Sequence, residues 1–279
     1  MYTRREFLEV NAAAAGAALL LRAKRTELAV GFQTWVVREQ LAEDFTGTLA
    51  RMAGMGYESL ELCSPVGYQR YGFGHLAEYS ASDLKAVIND AGLLCTSSHY
   101  TVAELREDLP ARIAFAEAMG YTQMVLAHPG LGADATLDDY KRVCEEMNGW
   151  GRITAGEGLQ FVYHNHNFEF EKLEGELIYD ALLAHLDPEV VKMQFQVWVV
   201  IAGYKAADYF RAHPGRFVSA HLSDWSGEEE QAVPVGAGIV DWRDFFEAGV
   251  VGGLKNVYVE MEPSTLPGSA AYLKGLRTD

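Results

Sequence analysis

Phe161-Val162-Tyr163-His164-Asn165-His166-Asn167-Phe168-Glu169-Phe170 is an apolar run that leads into two alternate histidines and then an acidic turn. Residues two apart on a β-strand share a face, so His164 and His166 can converge on one site. Two imidazoles at a strand end suit a divalent metal or a polar substrate, and a hydrogen-bonded structural pair is the other reading. Outward from this strand, Gly158 lies just before it, after a helical pattern over 136–155, and a second helical pattern follows at 175–186.

That unit of apolar strand, polar segment and amphipathic helix repeats along the chain. Strands are predicted at 27–35, 57–64, 93–100, 122–129, 159–166, 190–198, 217–224 and 256–262. Helical patterns lie near 41–54, 82–91, 107–119, 136–155, 175–186, 205–213, 241–250 and 268–276. Gly56, Gly92, Gly120 and Gly158 each fall just before a strand, where a left-handed helix cap is expected. Strict alternation implies parallel strands joined by right-handed crossovers. Eight units without a Gly-rich phosphate fingerprint predict an α/β fold, a closed (β/α)₈ TIM barrel in a single domain over 27–279, rather than an open doubly wound sheet. The stretches 64–75 and 226–239 read as long loops on the catalytic face.

The length of 279 residues fits a fold that typically takes about 250. A hydrophobic content of 49% with 22% charged residues is that of a chain with a substantial core. The net charge of −16 argues against a nucleic-acid partner, which calls for a clustered basic surface. Cys63, Cys95 and Cys144, odd in number and irregularly spaced, form neither a disulfide framework nor a CxxC metal site. They read as small core residues, with a Cys63–Cys95 bond open to formation in an oxidising compartment.

The local basic excess is N-terminal. Thr3-Arg4-Arg5-Glu6-Phe7-Leu8, followed by the Ala- and Leu-rich run Asn11 to Leu21, resembles a twin-arginine export signal. Residues 1–26 then lie outside the fold and the protein is exported to the periplasm; the other reading is a cytoplasmic amphipathic helix. The apolar run is shorter than the roughly 20 residues of a membrane span, so no stable span is expected in the mature chain.

Chemistry on such a barrel sits at the C-terminal ends of the strands. In order these offer Gln33 and Trp35; Glu61; His99; His128; His164 and His166; Gln196 and Trp198; His221 and Asp224; Glu260 and Glu262. Five of the eight histidines fall there, which a solvated surface does not predict. Each position also has a structural reading. Glu61 can be an ion-paired interior carboxylate, His99 a hydrogen-bonded residue of the mouth, His128 a turn cap before Pro129-Gly130, and Trp35 and Trp198 packing rather than an aromatic wall for a sugar ring.

Tyr163 to Phe170, Met193-Gln194-Phe195-Gln196-Val197-Trp198, Pro214-Gly215-Arg216-Phe217 leading to His221-Leu222-Ser223-Asp224, Val235-Gly236-Ala237-Gly238-Ile239-Val240-Asp241-Trp242 and Val259-Glu260 together resemble the sugar phosphate isomerase/epimerase family of xylose isomerase-like TIM barrels. The resemblance implies a divalent metal held by Glu, Asp, His and Glu from the last four strands. The matching positions are His164, Gln196, His221 and Glu260. One carboxylate where the family pattern has three disfavours Mg²⁺ and Mn²⁺ and favours Zn²⁺, Co²⁺ or Ni²⁺.

The resemblance further implies proton abstraction next to the carbonyl of a keto-sugar or sugar derivative through a metal-stabilised enediolate. Glu260 is one base, and the second acid/base comes from Glu61, His99 or His166. Trp35, His128, Trp198, Asp224 and Glu262 are the expected substrate contacts. The alternatives are a lyase or hydratase, eliminating from a 3-keto-glycoside or keto-inositol, and a non-catalytic carbohydrate-binding barrel. The expected partner is a small-molecule carbohydrate, with a homo-oligomer left open.

Overall fold

Eight parallel strands close in chain order into a barrel: β1 Val30–Gln33, β2 Ser59–Cys63, β3 Leu94–Tyr100, β4 Gln123–Leu126, β5 Gln160–His164, β6 Val191–Gln196, β7 Phe217–Leu222 and β8 Asn256–Val259. The computed structural model describes residues 28–278, so the export segment expected over 1–26 lies outside the described residues. Each predicted strand contains an observed one, and the (β/α)₈ expectation holds. The main helices are α1 Phe45–Met55, α2 Ala81–Asp90, α3 Val102–Met119, α4 Leu137–Gly156, α5 Ile178–His185, α6 Ala206–Ala212, α7 Trp242–Gly252 and α8 Leu266–Thr278. No helix among the described residues is long and apolar enough to cross a membrane.

Helix ends follow the local chemistry. Asp44, Ser80, Thr136 and Asp241 accept the orphan N–H groups of α1, α2, α4 and α7. The four predicted glycine caps all have positive φ. Helix α3 starts five residues earlier than the predicted 107–119. Thr101 and Glu104 form a capping box at its start, and Asp108 breaks the helical conformation ahead of Pro110 and accepts from Ala111 N–H at 3.0 Å.

Strand alternation sorts the side chains. On β5, Phe161 packs outward against Trp150 of α4, ring centroids 5.9 Å apart, while Val162 and His164 point inward. Val162 joins Val125 and Val218 in a small apolar cluster that floors the barrel. Above it the interior is polar.

Two register shifts set the level of those polar residues. On β3 the pairing with β2 skips Thr96, so Ser97 and His99 lie beside Glu61 and Cys63. On β7 the pairing with β6 skips Val218, so Ser219 and His221 lie beside Gln194 and Gln196. Such bulges re-aim side chains next to sites. Cys63, Cys95 and Cys144 are all free thiols, so the Cys63–Cys95 bond is not formed.

Candidate active site

Glu61 is the hub of the polar interior. It is fully buried, and its two oxygens accept from Gln33 Nε2 (2.9 Å), Ser97 Oγ (2.6 Å), Gln194 Nε2 (2.9 Å), His221 Nε2 (2.6 Å) and His99 Nε2 (3.0 Å). Burial pushes its carboxyl up, but the charges and hydrogen bonds of His99 and His221 outweigh burial and hold it well below the usual carboxylate range. Expected among the catalytic acids and bases, it lies among the imidazoles. With every lone pair engaged and no surface on either cavity described below, Glu61 holds the imidazoles rather than meeting substrate.

Three of those interior residues form a potential metal centre. Ligand nitrogens of His99, His164 and His221 lie within 4.8 Å of one another, and all three residues are buried. Burial, reinforced by the neighbouring imidazoles, pushes His164 well below the ordinary histidine range, so it stays neutral with a free lone pair. Its Nδ1 has no hydrogen-bond partner. A neutral, unsatisfied buried imidazole among two others is a donor set that suits a divalent ion of the zinc type.

His221 is the most constrained. Its Nε2 meets Glu61 and its Nδ1 meets Glu260 Oε2 at 2.9 Å. Burial lowers its pKa, but the two carboxylates reverse that and raise it to about 9. Glu260 is likewise raised by burial and then drawn down by His221 to about 2, so it is an anion, and its side chain keeps 19% exposure at the mouth.

Gln196, an expected ligand, is hydrogen-bonded at both ends of its amide. Its NH₂ donates to Glu260 Oε2 at 2.6 Å, and its amide oxygen accepts from Trp198 N–H and Ser223 O–H, both at 3.3 Å. Its oxygen is thus engaged in this structure, as both nitrogens of His221 are, and its NH₂ fixes Glu260. His99, expected as an acid/base, lies with His164 and His221 in the cluster that could hold a metal.

Two cavities open above these groups. One, of about 470 Å³, is lined by His99, His128, His164, His166, Tyr68 and Arg70 among others. The second, of about 480 Å³, is lined by Arg38, Glu39, Gln40, Trp198, Met261 and Glu262 among others. Trp35 and Glu260 belong to both.

His166 is half-buried, and burial lowers its pKa to about 4, so it is neutral; its Nδ1 has no partner. His128 combines its two readings: its Nδ1 accepts from Gly130 N–H at 2.9 Å as a turn cap, and its ring lines the first cavity. The walls from the 64–75 loop, Tyr68, Arg70 and Tyr71, carry no sequence signal beyond their loop position.

Asp224, expected to touch substrate, is buried away from both cavities. Its oxygens accept from the backbone N–H groups of Trp225, Gly236, Gly238 and Val240 and from Trp242 Nε1, at 2.8–3.2 Å. This placement explains the Val235-Gly236-Ala237-Gly238 motif. A Cβ on Gly238 would lie 2.2 Å from Asp224 Oδ1, so only glycine lets the loop wrap this carboxylate.

Glu169 was not singled out from sequence. It is fully buried and accepts from Tyr163 Oη at 2.6 Å and His166 N–H at 2.8 Å, which fixes the turn that presents His166. Burial outweighs these bonds and raises its carboxyl from 4.5 to about 7. The folded state therefore binds this proton more tightly than the unfolded chain, a contribution that favours folding below pH 4.5 and is lost as pH rises through 7. Glu169→Gln, which mimics the protonated form, is expected to gain on wild type between about pH 5 and pH 8 by up to ~3 kcal/mol of unfolding free energy. Urea denaturation at both pH values checks this, and an unchanged difference would refute it.

The chain is similar to a solved sugar phosphate isomerase/epimerase from Parabacteroides distasonis, at 25% identity and a TM-score of 0.72, over 90% of this chain and 96% of that one. Two more distant structures share the fold. One is a D-tagatose 3-epimerase-like protein (14% identity, TM-score 0.64, 89% of this chain and 97% of that one). The other is the IOLI protein, solved with a bound zinc atom (12% identity, TM-score 0.63, 90% and 95%). No curated protein matches the chain. The family described as xylose isomerase-like TIM barrel matches residues 49–276, and the chain belongs to that family.

Proposed function

We propose that the protein is an isomerase or epimerase that moves a proton next to the carbonyl of a keto-sugar. One observation carries this reading: an anionic carboxylate, Glu260, and a neutral imidazole, His166, line one cavity above the three-histidine cluster. Glu260 follows β8 and His166 follows β5, three places apart in the ring of strands, so the two groups approach a bound ring from different sides.

Stereochemical inversion needs such a pair, with Glu260 accepting the proton from one face and neutral His166 relaying a solvent proton through its ring to the other, taking one up at one nitrogen as it gives one from the other. His221 and Gln196 fix the Glu260 carboxylate by hydrogen bonds to the same oxygen. The aromatic rings of Trp35 and Phe168 flank the cavity and His166, the latter with ring centroids 5.6 Å apart.

A carboxylate with a pKa near 2 is a weak base, so the proton it removes has to be made acidic. His99, His164 and His221 are the residues that would hold a divalent cation, with His221 giving up a proton and one of its carboxylate hydrogen bonds to do so. Such an ion, when bound, stabilises the negative charge that develops on the carbonyl oxygen. Similarity to a sugar phosphate isomerase/epimerase supports the reaction class.

The test is solvent exchange. In D₂O, with Zn²⁺, Co²⁺, Ni²⁺, Mn²⁺ or Mg²⁺ restored after chelation, the purified protein is expected to place deuterium next to the ketone and yield a stereoisomer. Absence of exchange into any keto-sugar with any of these ions would overturn the proposal. Release of an aglycone in place of a stereoisomer would assign the second step to elimination.

A further inference from the structure

Apart from Glu260 and Trp35, which it shares, the cavity lined by Trp198 and Glu262 has no part in the chemistry just described. At about 480 Å³ it matches the catalytic cavity in size, and both fall in the range of about 300–1,000 Å³ usual for small-molecule sites. The histidines that line a cavity, His99, His128, His164 and His166, all belong to the other lobe. Glu260 is the one reactive group the two lobes share, so a ring that reacts over Glu260 leaves the second lobe for the rest of the substrate.

We propose that the substrate is a neutral two-ring sugar, a keto-glycoside of disaccharide size, with its keto ring beside His164 and His166 and its second ring in the lobe of Trp198 and Glu262. The assignment of the keto ring rests on the proton-transfer reading above; the second-ring subsite rests on the second lobe itself.

The walls of that lobe favour a sugar. Trp35 and Trp198 offer flat apolar faces of the kind that pack against the C–H side of a pyranose. Both are braced. Trp198 meets the edge of Trp225 at 5.1 Å, and Trp35 meets Tyr71 at 5.3 Å and Tyr68 at 6.1 Å. Glu39, Gln40 and Glu262 add planar groups that bond hydroxyls.

Charge decides against a phosphate or carboxylate there. Among the described residues Arg38 is the only cation lining the lobe, and its guanidinium already donates to the Trp35 carbonyl at 2.9 Å, lies 4.5 Å from the Trp35 ring centroid and pairs with Glu39 at 3.8 Å. Glu39, Glu260 and Glu262 leave the lobe net negative, which repels an anion.

Two measurements on the purified full chain test this. The first is calorimetric binding of glucose against unoxidised maltose, cellobiose, trehalose and sucrose. At least one disaccharide is expected to bind about tenfold or more tightly than glucose, and Trp198→Ala to abolish that margin. The second compares deuterium exchange into 3-keto-glucose and the matching 3-keto-disaccharides, where kcat/KM should favour a two-ring substrate by a similar factor.

Exchange that is equally efficient on one ring and two, with no disaccharide binding above glucose, would overturn the inference and leave the proton-transfer reading standing. Trp198-dependent disaccharide binding with no exchange into any keto-sugar would uphold the second-ring subsite and overturn the proton-transfer reading. Failure of every disaccharide to bind better than glucose, whatever the exchange, would overturn the subsite.

Discussion

Glu260→Gln is expected to lower kcat for deuterium exchange by about 10³-fold, within the 10²–10⁴ that a positioned acid or base contributes. The amide matches the carboxylate in shape and keeps one oxygen to accept from His221 Nδ1 or Gln196 Nε2, which in the wild type share Glu260 Oε2 at 2.9 and 2.6 Å. What it loses is the anion that takes the proton. His221 loses one of the two carboxylates that raise its pKa to about 9, so its titration should move down in the variant. A merely structural role for Glu260 would not couple the rate to that shift. A variant within a few-fold of wild-type kcat would remove Glu260 from the chemistry.

The contrast between Glu260 and Glu61 shows what could be read in the sequence. Both lie in apolar strands at alternating positions, and alternation alone places both inside the barrel. It does not say how far each lies from the mouth, because that depends on strand stagger and on the register shifts at Thr96 and Val218. The histidines were legible as a group because strand C-termini face one end of the barrel. Their division into cluster, anchor partner and cavity wall was not, since it depends on cross-strand hydrogen bonds such as His99 to Gln194 at 2.9 Å.

Asp224 marks another limit. A polar residue after an apolar strand looks the same whether it meets a substrate or five loop donors. The glycines at 236 and 238 were the available signal for the second reading. Glu169 and the loop aromatics Tyr68 and Tyr71 escaped for a simpler reason: their roles come from loops whose paths no periodicity records.

Glu61→Gln is expected to cost about 3–5 kcal/mol of stability, the range for removing one partner of a buried ion pair. Five donors converge on this carboxylate, and an amide can accept from two or three of them while turning its own NH₂ toward the rest. Relaxation can spare part of the loss by deprotonating His221, whose remaining charged partner is Glu260. That predicts a second, independent sign, a fall in the His221 pKa from about 9, visible in its ring resonances. Glu146→Gln supplies the comparison. Its salt bridge to Arg106 is just as short, 2.8 Å, but the side chains are 50% and 40% exposed, so the same loss of charge should cost about 1 kcal/mol or less. If the two variants melt at similar temperatures, or if His221 titrates unchanged without the Glu61 charge, then Glu61 does not anchor the imidazoles. If they separate as expected, the residue that resembled a catalytic acid by its place in the strand is the counter-charge that keeps His221 and His99 fixed beneath the site.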